Sequence, residues 1–122
     1  MLYRFVHFNF NVADLDRSLK FYADALDLHP VREKPAEDGS YRIVFLGDGK
    51  SDFQLELTWL RDHPQPYDLG EGEIHLAVRV EDYAAARKHH EEMGCVCCVN
   101  EKMGLYFIED PDGYWIEVLR EK

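Results

Sequence analysis

The chain repeats itself. His7 and His75 lie 68 residues apart, and at the same spacing Val12 meets Val80 and Asp14 meets Asp82. Around both histidines apolar and polar residues alternate. In FVHFNFNV (residues 5–12), Val6, Phe8, Phe10 and Val12 take one side, and Phe5, His7, Asn9 and Asn11 the other. In EIHLAVRV (residues 73–80), Ile74, Leu76, Val78 and Val80 oppose His75, Ala77 and Arg79. A period of two predicts a half-buried strand. After each strand an Asp stands in helix N-cap position, ahead of apolar residues at helical spacing. These are Leu15, Leu19, Tyr22 and Leu26 in the first half, and Tyr83, Ala86, His90 and Met93 in the second. Any fold for this chain must therefore carry one plan twice.

Each half continues with three strands. His29-Pro30 ends the first helix near Leu28, and the strands follow at 31–34, 41–46 and 53–60. Gly94 stops the second helix, and the strands follow at 95–100, 104–109 and 114–119. The predicted class is α+β, βαβββ twice, in modules of about 1–62 and 73–122. The linker, 63–72, holds Pro64, Pro66, Gly70 and Gly72. A chain of 122 residues makes one domain, or two small modules sharing a core.

The chemistry concentrates in GLYFIEDPDGYWIEVL (residues 104–119). Asp110-Pro111-Asp112-Gly113 is a turn: Pro presets φ, Asp bonds back to the backbone and Gly takes positive φ. The strand after it is aromatic and β-branched, with the single acid Glu117 in its middle. An ionised carboxylate in so apolar a strand needs a partner, and a divalent metal is the expected one. The first half offers Glu56 at the corresponding place. Glu117 falls seven residues short of the 68-residue offset from Glu56, so the second half has shortened its loops. Each half thus presents one His on its first strand and one Glu on its last, each opposite the aliphatic face. A His₂Glu₂ set suits Zn, Ni, Co or Fe, leaves open octahedral positions, and neutralises the ion with two carboxylates.

Other features carry less. With Lys+Arg 14 against Asp+Glu 24, the net charge of −10 excludes a broad nucleic-acid or anionic-membrane surface. There is no signal pattern and no apolar run of spanning length, so the expected compartment is the cytosol. Cys95, Cys97 and Cys98 form an odd cluster without metal-site spacing, read as reduced residues acting as small hydrophobes. His89 and His90 lack the H-E-x-x-H spacing and are read as a solvated helix face. His29 and His63 flank prolines and are read as unpartnered.

At these residues the sequence resembles the glyoxalase I family of the vicinal oxygen chelate superfamily. The resemblance covers nearly the whole chain. VADLDRSLKFYADALDL, LELT around Glu56, IHLAV around His75 and the 104–119 run carry it. It implies the glyoxalase/bleomycin resistance fold, and it implies His7, Glu56, His75 and Glu117 as ligands of one divalent ion per site (Ni, Co or Zn). It also implies a homodimer whose sites are shared between subunits. The implied activity is a metal-dependent lactoylglutathione lyase. The hemithioacetal of methylglyoxal and a thiol, glutathione or similar, is converted to the S-lactoyl thioester through a metal-stabilised enediolate. Glu117 is the expected proton carrier and Glu56 the second candidate. Asn11 and Lys102 fall at or near positions that contact the thiol carrier. The chain has Asn11 where bacterial relatives usually have Arg, Leu60 where they have Asn, and a shorter loop before Gly104. Two other readings share the fold: a metalloenzyme on another vicinal-oxygen substrate, such as an epimerase, and a metal-free binding module of the bleomycin-resistance kind.

Overall fold

In the computed structural model the described residues are 1–121, and they form two compact units, Met1–Tyr67 and a second from Asp68 onward. The first contains β1 (His7–Asn11), α1 (Leu15–Leu26), β2 (His29–Pro35), β3 (Tyr41–Gly47) and β4 (Gln54–Leu60). The second contains β5 (His75–Val80), α2 (Tyr83–Met93), β6 (Val96–Asn100), β7 (Leu105–Glu109) and β8 (Trp115–Arg120). The sheet orders match: β1-β4-β3-β2 in one unit, β5-β8-β7-β6 in the other. First and last strands pair in parallel, and the remaining pairs are antiparallel. The architecture is α+β, βαβββ twice.

Both helices begin as the sequence predicts. The Asp14 carboxylate accepts from Arg17 N at 3.1 Å, and the Asp82 carboxylate from Ala85 N at 3.0 Å. Each thus satisfies a backbone donor that the first helical turn leaves open. Both helices end on a left-handed residue, Asp27 (φ 54°) and Gly94 (φ 72°). From 68 at the N-caps, the offset between halves falls to 67 at these C-caps and 66 at the bulged residues Val31 and Cys97. It reaches 62 at Phe45 and Phe107, then 61 at Glu56 and Glu117. The expected shortening is thus located, and most of it lies in the β6–β7 hairpin.

The first unit's core joins Tyr22, Leu15, Ala25 and Ser18 of α1 to Phe10, Val44, Leu46, Leu55 and Leu57. The alternation of residues 5–12 is only half realised. Phe10 and Val12 are buried, but Val6 and Phe8 are exposed, as is Ile74 in the second unit. The cause is position: β1 and β5 are edge strands, and α1 packs chiefly on β2 and β4.

The second unit is held differently. Among the described residues His90 alone in α2 is buried, and its Nδ1 lies 2.8 Å from the Tyr106 hydroxyl. Tyr83 meets Tyr106 edge-on at 5.4 Å, and the Arg120 guanidinium lies 3.7 Å from the Tyr83 ring centroid. His90 is therefore not part of a solvated face, as the sequence reading had it, whereas His89 is exposed. His29 and His63 also have partners, contrary to expectation. The His29 Nε2 is 2.6 Å from the Asp27 Oδ1, and His63 stacks on Tyr67 at 3.9 Å. All three cysteines are free, but Cys97 and Cys98 are exposed rather than packed, because β6 is an outer strand bulged at Cys97. Partial burial of its thiol, with Glu109 nearby, raises Cys97 to about 11.

The turn before β8 fixes the register of Glu117. Asp110, buried, accepts from Asp112 N and Tyr114 N through Oδ1 at 2.9 Å each, and Gly113 takes φ 93°. Asp48 does the same service in the first unit, accepting from Lys50 N (2.8 Å) and Ser51 N (2.7 Å). Asp110→Ala leaves two backbone donors short and is expected to cost about 2 kcal/mol in denaturant unfolding. Asp110→Asn, which keeps the oxygen acceptor, should recover most of that. Equal loss in both variants would mean that the turn does not depend on the acceptor.

Candidate metal centre

Each unit builds the same His–Glu pair. In the first, His7 opens edge strand β1, and Glu56 of neighbouring β4 lies opposite Asn9. The period of two puts His7 and Asn9 on one face with Glu56, so the carboxylate reaches back to the imidazole. Glu56 Oε1 stands 3.3 Å from His7 Nε2. In the second, His75 opens β5, Glu117 lies opposite Ala77, and the Oε1–Nε2 distance is 3.4 Å. The imidazole side chains are 39% and 46% exposed, and their carboxylates 15% and 18%. Both imidazoles thus open outward while the acids are held in the sheet.

The donor chemistry suits a metal. A charge-assisted N–H···O bond is ordinarily about 2.7–2.9 Å, shorter than either contact. Two ligand atoms about 2.1 Å from one ion, at about 100–110°, are themselves about 3.2–3.4 Å apart. Neutral imidazole nitrogen and carboxylate oxygen are both borderline-to-hard donors for divalent ions. Each pair supplies two such donors already spaced as neighbouring ligands. Among the described residues no group of three or more His, Cys, Asp or Glu comes together as a metal site. Each unit by itself thus offers two donors, one nitrogen and one oxygen.

Two ring contacts that sequence reasoning missed support the pairs. Phe45 lies opposite Glu56 in β3 and meets His7 edge-on at 5.5 Å; Phe107 lies opposite Glu117 in β7 and meets His75 at 5.2 Å. A phenyl ring set crosswise against an imidazole limits how the imidazole can turn. The repeat held the signal, since Phe45 and Phe107 are offset by 62 where the two Glu are offset by 61. Trp115 adds a further wall in the second unit: it lies opposite His75, 5.2 Å from the Phe107 ring. Gln54 takes that place in the first unit.

Asn11 ends β1 on the His7 face, and its Oδ1 accepts from Asn9 Nδ2 at 2.7 Å; Asn9 in turn accepts from the Thr58 hydroxyl at 2.6 Å. Its counterpart at the 68-residue offset is Arg79, whose Nη1 donates to the Arg120 carbonyl at 2.9 Å. Lys102 is exposed in the turn between β6 and β7. The row Arg79–Leu119–Leu105–Asn100 lies nearer that turn. Four residues of strand, about 13 Å, separate it from His75's row, so Lys102 is not adjacent to the His75–Glu117 pair.

The sequence matches the profile of the Glyoxalase/Bleomycin resistance protein/Dioxygenase superfamily over residues 4–118. It is 39% identical to a probable lactoylglutathione lyase of Synechocystis sp., covering 94% of this chain and 93% of that protein. It is 36% identical to the lactoylglutathione lyase of Neisseria meningitidis serogroup A, covering 98% and 91%. Among solved structures, the trypanothione-dependent glyoxalase I of Leishmania major superposes with a TM-score of 0.86 at 33% identity, covering 98% of this chain and 88% of that one.

Proposed function

Because this chain belongs to the glyoxalase/bleomycin resistance protein/dioxygenase superfamily, we propose that it is a lyase of the glyoxalase I type. Its substrate is the hemithioacetal formed from methylglyoxal and a thiol, and its product the S-lactoyl thioester. The observation that carries this reading is the duplicated His–Glu pair, His7 with Glu56 and His75 with Glu117. Together the two pairs make a four-ligand set for one divalent ion, Ni, Co or Zn. When bound, that ion supplies Lewis-acid polarisation of the substrate's adjacent oxygens.

The protein's own part is proton transfer and its containment. One carboxylate takes the proton from the carbon bearing sulfur and hydroxyl, and the electron pair moves to give the enediolate. The resulting carboxylic acid returns the proton to the neighbouring carbon, and the hydroxyl proton passes from the oxygen beside sulfur to the neighbouring oxygen, so the reaction is a balanced isomerisation. Glu117 takes this role, with Glu56 as the alternative. Phe107 and Trp115 flank Glu117 with apolar rings. Phe45 and Phe107 hold the imidazoles in line. Asn11 and Lys102 contact the thiol carrier.

The working unit is a homodimer. His7 and Glu56 of one subunit complete the set with His75 and Glu117 of the partner subunit. Exposed Leu2, Tyr3, Phe5, Val6, Phe8 and Ile74, several on or beside edge strands, support an interface there. The two units act as modules of a single domain. Three free thiols suit the reducing cytosol, and no helix of the described residues is long and apolar enough to cross a membrane.

The test is direct. Purified protein is loaded separately with Ni, Co and Zn and assayed for S-lactoyl thioester formed from methylglyoxal and glutathione. Thioester formation with at least one metal is expected; none with any of the three would overturn the reading.

A further inference from the structure

In the first unit, β2 lays two cations on the same sheet face as the His7–Glu56 pair. One row runs across the ladder: Arg32 opposite Phe45, Phe45 opposite Glu56, Glu56 opposite Asn9. Residues directly opposite in neighbouring strands share a face. The contacts follow that row. The Arg32 guanidinium lies 4.1 Å from the Phe45 ring centroid, and the same ring meets His7 edge-on. Lys34, two residues further along β2, brings its Nζ to 5.9 Å from that centroid. Glu33 between them faces the other way and is taken by Arg42 at 2.9 Å. Among the described residues neither Arg32 nor Lys34 has a carboxylate partner. In a chain of net charge −10, with acids to spare, that is a selective arrangement.

The second unit does not repeat it. Cys98 stands opposite Phe107 and Asn100 opposite Leu105, so the corresponding face of β6 carries no charge. The metal-ligand pairs are duplicated and the cations are not. β2 therefore carries a cationic flank that β6 lacks, while the cation on the His75 face, Arg79, is bonded to the Arg120 carbonyl.

Resting on the lyase reading of this same site, we infer that Arg32 and Lys34 receive a carboxylate of the substrate's thiol portion and make the protein selective for anionic thiol adducts. A guanidinium placed over a ring is attracted to its face, and its planar fork of N–H donors can grip a carboxylate with two parallel hydrogen bonds. Lys34 adds a mobile point charge beside it. The chain's overall acidity repels such a substrate elsewhere and so sharpens the preference at this flank.

The test separates charge from shape. S-Methylglutathione, a thioether that cannot isomerise, and its diester, which lacks both carboxylate charges, are titrated calorimetrically into the metal-loaded full chain. Wild type is expected to bind the diacid about tenfold or more tightly than the diester, as two charge-assisted contacts allow. In the Arg32→Gln/Lys34→Gln double variant the two affinities should fall within about twofold of each other, with diester binding unchanged. Arg32→Lys should keep part of the preference, because the charge remains and the flat fork is lost. No preference in wild type, no binding of either probe, a preference that survives the double variant, or equal loss of both ligands would overturn the inference. The last outcome would make Arg32 a cover for Phe45 only. Turnover of the methylglyoxal–glutathione adduct is followed in parallel. Intact diacid preference without turnover sinks the lyase reading alone, and normal turnover without the preference sinks the anion flank alone.

Discussion

Glu117→Gln lowers kcat for the hemithioacetal isomerisation by about three orders of magnitude, the usual scale for losing a positioned general base. The amide keeps the size of the side chain and an oxygen able to face His75, so its place between β5 and β7 is preserved. It cannot accept a proton at neutral pH. Metal content, measured by elemental analysis, should therefore stay near that of wild type while turnover disappears, and exchange of the substrate's carbon-bound hydrogen with solvent should vanish with it. Glu56→Gln distinguishes the two acids, because its carboxylate stands in the same relation to His7. Full turnover in Glu117→Gln together with a dead Glu56→Gln would transfer the proton to the first unit's acid.

Stripping divalent ions with a chelator brings the second large loss. Turnover should fall by about a thousandfold or more and return when Ni, Co or Zn is added, since polarisation of the substrate oxygens is otherwise unsupplied. Stability provides a readout independent of catalysis. A ligand bound only by the folded state stabilises it by about 2.7 kcal/mol at a hundred times its Kd. The melting temperature should therefore climb on metal addition and fall back on chelation. In His7→Ala and His75→Ala that increment should shrink, because each removes one of the two nitrogen donors. A protein whose melting temperature ignores all three metals, and whose activity ignores the chelator, has the metal-free binding role instead.

Much of this was legible in the residues because the repeat states it twice. Paired Asp caps, paired alternating strands and paired His–Glu positions each gain weight from a counterpart in the other half. What was misread depends on neighbours that a linear pattern does not name. Val6, Phe8 and Ile74 follow the strand period faithfully, yet an edge strand only partly covered by a helix leaves such residues in solvent. His90 falls on the same helical stripe as Tyr83 and Ala86, which was the available hint. Its adjacency to His89 and two glutamates pointed toward water, while the Tyr106 hydroxyl that lodges it comes from a strand 16 positions away. Phe45 and Phe107 are not marked out by the linear pattern, for a related reason. A ring in a strand reads as core until cross-strand register sets it beside a particular imidazole.

The parallel pairing of first and last strands has a genealogical consequence. Each half closes its own ladder, β1 on β4 and β5 on β8, so among the described residues neither sheet takes a strand from the other. Substitutions can then accumulate in one copy without disturbing its sibling's hydrogen-bonded frame. Such a chain can stay conservative where both copies are needed and diverge at the margins, as Arg32 has from Cys98, Asn11 from Arg79 and Gln54 from Trp115. The repeated frame thus carries two ligand faces furnished with different side chains.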